Sequence, residues 1–203
     1  MIGAPHDDAG FDDDAGLDDD AGLEDDASEV TIRIAAPEDV DRLAFVAAVT
    51  FPLACPPHTT REDAATFIME HLSVDSFRGY LADPDRLLYL AEESGRAIGY
   101  TMVVFGEPHD PDVAAAITLR PASELSKCYV LPGHHGKGVA ARLMQTSIDA
   151  ARDRGAVGIW LGVNEENQRA QKFYTKSGFT RVGTKRFLVG GNWEDDFVYE
   201  QAL

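Results

Sequence analysis

Twelve of the first 29 residues are Asp or Glu and none is Lys or Arg, and this one run decides how much of the chain can fold. Within residues 6–27 the units DDAGF, DDDAGL, DDDAGL and EDDA follow one another, each offering at most one large apolar residue among like charges. Such a segment buries too little to offset the entropy of ordering it. Residues 1–29 are therefore expected to form a disordered, self-repelling acidic tail, and residues 30–203 a single domain. The loops of calcium sites alternate their ligands and close on a bidentate Glu, and the tail has neither feature.

With the tail set aside, 23 of the 35 acidic side chains face 18 Lys and Arg, a net of −5 that is ordinary for a folded domain. Neither part offers the basic stripe that binding to phosphate backbones needs, which argues against a nucleic-acid partner. The N-terminus has neither the basic start nor the apolar stretch of a secretory signal. No window approaches the roughly 20 uninterrupted apolar residues of a membrane helix; the longest apolar-rich piece, residues 43–55, is broken by Thr50 and Pro52. Cys55 and Cys128 form no close-spaced ligand pattern and no disulfide framework, so no metal site is expected and a reducing cytoplasm fits best.

Order begins near Val30. Residues 30–35 alternate apolar and polar side chains and read as a strand. Pro37 opens a helix with Glu38 and Asp39 in its first turn, where the helix dipole favours negative charge, and Pro52 is expected to stop it. A second helix is read over 59–73, begun by a Thr followed by acids. Residues 87–93 and 97–106, joined through Ser94-Gly95, look like a hairpin. After a polar, Pro-containing connection at 107–112 come a strand (123–132), a striped helix (136–153), a strand (156–163), a helix (167–179) and two closing strands near 179–189 and 193–201. Strands and helices alternate without a repeating βα unit. That order implies an α/β (α+β) fold with a mixed central sheet of about seven strands and about four helices.

Between strand 123–132 and helix 136–153 lies GHHGKGVA, residues 133–140. A glycine-rich turn feeding a helix N-terminus presents unpaired backbone N–H groups and the positive end of the dipole to an anion. Gly136 and Gly138 let the backbone approach a phosphate, and Lys137 adds positive charge at the rim. A tight structural turn would use the same residues. Other phosphate motifs fit poorly: a P-loop needs Ser or Thr after its Lys, and Gly138 follows Lys137. A dinucleotide fingerprint needs a third glycine where Ala141 stands, and no acid ends a following parallel strand at the right distance.

The run His135, Gly136, Lys137, Gly138, Val139, Ala140 resembles the [QR]-x-x-G-x-[GA] loop of the GNAT N-acetyltransferase superfamily and departs from it at His135, where Arg or Gln is usual. A second stretch, VNEENQRAQKFYTKSGF (163–179), is similar to that superfamily's later signature, with Asn167, Ala170, Phe173, Tyr174, Gly178 and Phe179 in register. The resemblance covers about residues 30–200. It implies the superfamily's fold and the use of acetyl-CoA as co-substrate. The pyrophosphate would sit on the backbone of 135–140 and the pantetheine arm on Asn167. Tyr174 would donate a proton to the departing thiolate, and the Val130 backbone N–H would hold the oxyanion. It also implies a cytoplasmic enzyme with a small-molecule amine substrate; dimerisation is common among such proteins.

An amine with a Lys-like pKa is neutral in roughly one molecule in 2,500 at pH 7, so a base, or a water chain leading to one, is needed. The resemblance places Glu124 at the base position of histone-type members; a solvated Glu at a strand start is the competing reading. Segment 50–80 would shape the acceptor pocket and offers His58, Glu62, Asp63, Phe67 and Phe77. Acids there would attract a polyamine, and the wording ELSKCYVLP looks closest to bacterial members acting on small amines. Acetylation of protein N-termini or lysines, and a non-catalytic acyl-CoA-binding module, are the alternatives.

Overall fold

In the computed structural model, residues 29–189 and 191–203 are described; the acidic tail read over 1–29 lies outside them except for Glu29. The chain builds one seven-stranded sheet in the order β1 (Val30–Ile34), β2 (Arg86–Glu93), β3 (Arg96–Phe105), β4 (Ala122–Val130), β5 (Gly158–Asn164), β7 (Asn192–Ala202), β6 (Thr180–Val189). Only β4 and β5 run parallel; every other neighbouring pair is antiparallel. The mixed sheet expected from the order of elements is thus the one observed.

Six α-helices are described: α1 (Val40–Ala54), α2 (Arg61–His71), α3 (Val74–Ala82), α4 (Pro111–Ala116), α5 (Val139–Asp153) and α6 (Gln168–Lys176). Two of them exceed the expected four. Helix α3 is only nine residues long, started by the Ser73 hydroxyl accepting from the Ser76 N–H (3.1 Å) and pinned by Phe77, which is fully buried. Helix α4 replaces part of the expected 107–112 connection. Asp110 caps it by accepting from the Asp112 N–H (2.9 Å), and Pro111 follows, a residue at ease in a first helical turn. Pro52 does not stop α1, which continues to Ala54. In the last turn its missing N–H costs one bond at most. Phe51 beside it is held in the core by stacking on Phe67, with ring centroids 4.3 Å apart.

The core lies on both faces of the sheet. Leu43 and Val46 of α1, Phe67 of α2 and Phe77 of α3 pack with Leu88, Leu90 and Tyr100 on one face. Met144, Ile148 and Ala151 of α5 meet Leu125, Ile159 and Leu161 on the other. At the start of α1 four charges form one network. The Arg33 guanidinium donates to both Asp39 oxygens (2.6 and 2.8 Å) and to Glu92 (2.7 Å), while Arg42 donates to Asp39 (3.0 Å) and Glu92 (2.5 Å). Hydrogen bonds from Arg33 hold the buried Asp39 carboxyl well below the usual carboxylate range.

One irregularity of the sheet positions everything that follows. Opposite Met102 and Val103 of β3 stand Lys127 and Leu125, so Ser126 is an extra residue in β4, a β-bulge. A bulge bends its strand and increases its twist. Strand β4 touches β5 only through Ala122–Glu124 and Gly158–Trp160, and beyond that point the two part. Strand β5 pairs instead with β7 along its whole length. The sheet is therefore split by a wedge-shaped gap.

Candidate active site

The bulge also resets which way side chains point. Leu125 and Cys128 pack toward α5 and α6, while Tyr129 and Leu131 pack toward the first three helices. With Ser126 inserted, Glu124 and Lys127, three apart, share the face that Tyr129 occupies, where unbroken alternation would oppose them. Both line a cavity of about 380 Å³ walled by α1, α2, α3, α6, β4, β5, β6 and β7, with Phe51, Phe67 and Phe187 among its aromatic residues. A second cleft of about 430 Å³ runs between the 133–140 loop, α5 and α6. The two share Ala54, Cys128, Tyr129, Asn167, Ala170 and Tyr174, so they meet at the gap between β4 and β5.

The loop has the geometry its glycines allow. Gly136 (φ +81°) and Gly138 (φ +78°) are left-handed, and no atom lies within 4 Å of where a Cβ would stand on either. Gly138 is the N-cap of α5, and the first helical bond is Arg142 N–H to Gly138 O (3.0 Å). The N–H groups of Val139, Ala140 and Ala141 consequently have no partner within the helix. Val139 anchors the turn: its side chain is buried against Ala91, Ile98, Val130 and Leu143. Lys137 is partly neutralised, with Nζ 3.5 Å from Glu93, whose other oxygen lies 3.0 Å from His134 Nδ1.

His135 shapes the loop: its Nε2 donates to the Val130 carbonyl (2.9 Å). The Leu131 N–H donates to Ile98 O on β3 (2.8 Å), so strand alternation turns the N–H and C=O of Val130 away from β3, toward the gap. Asn167 caps α6, its Oδ1 accepting from the Ala170 N–H (3.0 Å). Its amide nitrogen makes no hydrogen bond among the described residues. Tyr174 stands in both cavity walls, and burial raises its phenol well above the ordinary value. Burial likewise raises the Glu124 carboxyl, against the lowering pull of Lys185, Lys127 and Arg86.

Of the residues read from segment 50–80, only Phe67 lines the cavity. Phe77 is core, and Glu62 is exposed at the start of α2. Asp63 accepts a hydrogen bond from the Thr60 hydroxyl (2.7 Å), and His58 bonds Glu194 (2.9 Å). The acids that do reach the cavity come from β7. Glu194, Asp196 and Glu200 are all buried at every second position of that strand, and the first two line the cavity. Lys127 and Lys185 join them. Sequence reading passed over all four. The one signal for the acids was their alternation in NWEDDFVYE, which for charged residues ordinarily marks the solvent face.

These features fit a coenzyme A thioester. Open space stands where Cβ atoms would fill the loop, helix N–H groups lack helical partners, and a split sheet leads to the half-buried Tyr174. Among the described residues no helix is long and apolar enough to cross a membrane, and no group of three His, Cys, Asp or Glu could hold a metal ion.

Comparison with known proteins agrees. The model of the Acetyltransferase (GNAT) family matches residues 51–179. An uncharacterized N-acetyltransferase of Mycobacterium tuberculosis is 47% identical over 165 residues, 81% of this chain and 98% of the relative. A streptothricin acetyltransferase of Streptomyces lavendulae is 42% identical over 62 residues, 30% of this chain and 33% of the relative. The crystal structure of the PaiA N-acetyltransferase of Thermoplasma acidophilum in complex with coenzyme A shares the fold. It has a TM-score of 0.69 at 20% identity and covers 86% of this chain and 99% of that one. With well over half of the chain inside the family match and a relative aligned along nearly its whole length, the chain belongs to the GNAT acetyltransferase family and is an acyl-CoA-dependent acetyltransferase.

Proposed function

We propose that this enzyme moves the acetyl group of acetyl-CoA to the primary amine of a small molecule by direct attack, with both substrates bound at once. The observation that carries this reading is the meeting of two cavities at one gap, with Tyr174 in both walls. The loop at 135–140 would hold the pyrophosphate and Asn167 the pantetheine arm. The remaining cavity, at about 380 Å³, is of a size for a small acceptor.

Bound acetyl-CoA supplies the acetyl group as a thioester, activated toward attack by an amine. Glu124, with its carboxyl raised by burial, takes the proton that the amine sheds as its nitrogen bonds to the acetyl carbon. The Val130 N–H, facing the gap, receives the charge that builds on the carbonyl oxygen. Tyr174, kept protonated by burial, gives its phenolic proton to the sulfur as the C–S bond breaks, and solvent carries the proton held by Glu124 back to the Tyr174 phenolate.

Residues 30–203 carry this activity without the acidic tail. The free thiols of Cys55 and Cys128, both half-buried at the cavity, fit a reducing compartment such as the cytoplasm. The test is release of free thiol from acetyl-CoA on addition of a panel of small amines. Amine-dependent release is expected from both the full chain and residues 30–203. Thiol release no faster with amines than without them would refute the assignment.

A further inference from the structure

The charges of the acceptor cavity are unevenly partnered. Glu200, outside it, accepts from the Thr118 N–H (2.8 Å), the Thr118 hydroxyl (2.9 Å) and the Leu119 N–H (2.7 Å). Glu194 has His58 at 2.9 Å. Asp196, two residues along the same strand face and only 7% exposed, has no hydrogen bond or ion pair among the described residues. A buried carboxylate left so is costly unless a ligand completes it.

The cations repeat the pattern. Lys127 and Lys185 line the same cavity, and neither has a carboxylate oxygen within 4.0 Å among the described residues. Lys127 has the centroid of the Tyr80 ring 5.3 Å from its Nζ, and Glu124, Arg86 and Lys185 act on it from farther off. Burial lowers its ammonium to about 8, so it remains largely charged at neutral pH. Lys185 is the cross-strand partner of Asp196 and overhangs Gly162, where a Cβ would come within 2.6 Å of its Cε. The cavity thus holds two carboxylates, Glu124 and Asp196, and two ammonium groups; they act on one another across the cavity, but none of the four has an ion-pair partner within 4.0 Å among the described residues.

Resting on the acetyl-transfer reading above, we propose that the acceptor is a zwitterion of amino-acid type. Its carboxylate lies against Lys127 and Lys185, and its amine is received by Asp196 on the way to Glu124. A polyamine fits badly, because each further cation would meet Lys127 or Lys185 in a site of low dielectric. The aromatic wall of Phe51, Phe67 and Phe187 leaves room for an apolar side chain between the charged ends.

The test compares the twenty common amino acids with their decarboxylated amines and with spermidine, using the full chain, acetyl-CoA and thiol release. The expected result is at least one pair in which the carboxylated member has kcat/KM higher by about tenfold or more. Lys185→Gln and Lys127→Gln each shrink that ratio, chiefly through KM for the amino acid. Calorimetry of the preferred amino acid with coenzyme A present gives a readout free of turnover and the same loss in the variants. Faster reaction of decarboxylated amines or spermidine overturns the proposal while upholding amine acetylation. So does a ratio unchanged in both lysine variants. Binding of acetyl-CoA with no thiol release from any acceptor overturns both readings, and absence of acetyl-CoA binding removes the acetyl-transfer reading first.

Discussion

The two ends of the groove are made of different material. At the loop end the groups offered to the proposed acetyl-CoA are backbone: the N–H groups of Val139, Ala140 and Ala141, exposed by a left-handed Gly138 and steadied by His135 and Val139. At the acceptor end they are side chains, Glu124, Lys127, Lys185 and Asp196, delivered by three strands. Backbone geometry tolerates a change of neighbouring side chain but not of the glycine. A side-chain site is altered by any of its members. The loop end is accordingly built for a constant ligand and the acceptor end for a selected one.

Substitutions at the two ends should therefore fail differently, and the junction should fail most. Tyr174→Phe is expected to lower turnover by about 10²–10⁴ while the Kd for acetyl-CoA stays within about twofold, as steady-state kinetics and calorimetry would read. Unchanged turnover would take Tyr174 out of the chemistry. Next comes Glu124→Gln, for which about a 10²-fold loss in kcat/KM is expected. A base works deprotonated, so the wild-type rate should rise with pH through the raised Glu124 value, and the variant should lose that limb. An identical pH profile in the variant would make Glu124 structural.

At the loop end the effect moves from turnover to affinity. Gly138→Val forces a β-branched residue to φ +78° and fills the open cradle. A left-handed backbone costs a non-glycine residue roughly 1–2 kcal/mol, so the acetyl-CoA Kd should rise by about tenfold or more. The smallest change is His135→Ala, which removes one hydrogen bond to Val130 O, worth about 1 kcal/mol, and should raise the same Kd about fivefold. If either variant instead changed kcat with Kd intact, the division of labour between the ends would be wrong.

The same division explains what could be read from the chain. Gly136, Gly138 and Tyr174 lie in two compact stretches whose spacing is itself the signal, because a turn and a helix end are local structures. The acceptor end is not local. Glu124 and Lys127 share a face only because Ser126 is an extra residue, and a one-residue bulge leaves no compositional trace. Lys185 and Asp196 meet only through the β6–β7 register. Glu62 and Asp63 attracted attention as acids in the segment expected to shape the pocket, yet they serve the start of α2, and the cavity draws its acids from β7 instead. Helix α3 escaped for a related reason: nine residues hold little more than two turns of periodicity, and its Ser73 cap is an ordinary loop residue until the helix exists.

The central claim is that the 135–140 loop and the gap beside β4 together hold acetyl-CoA. Calorimetric titration of acetyl-CoA into the full chain and into Gly138→Val tests it most directly. The account predicts a single micromolar site in the wild type, weakened about tenfold or more in the variant. No binding to the wild type, or equal binding by both, would contradict it.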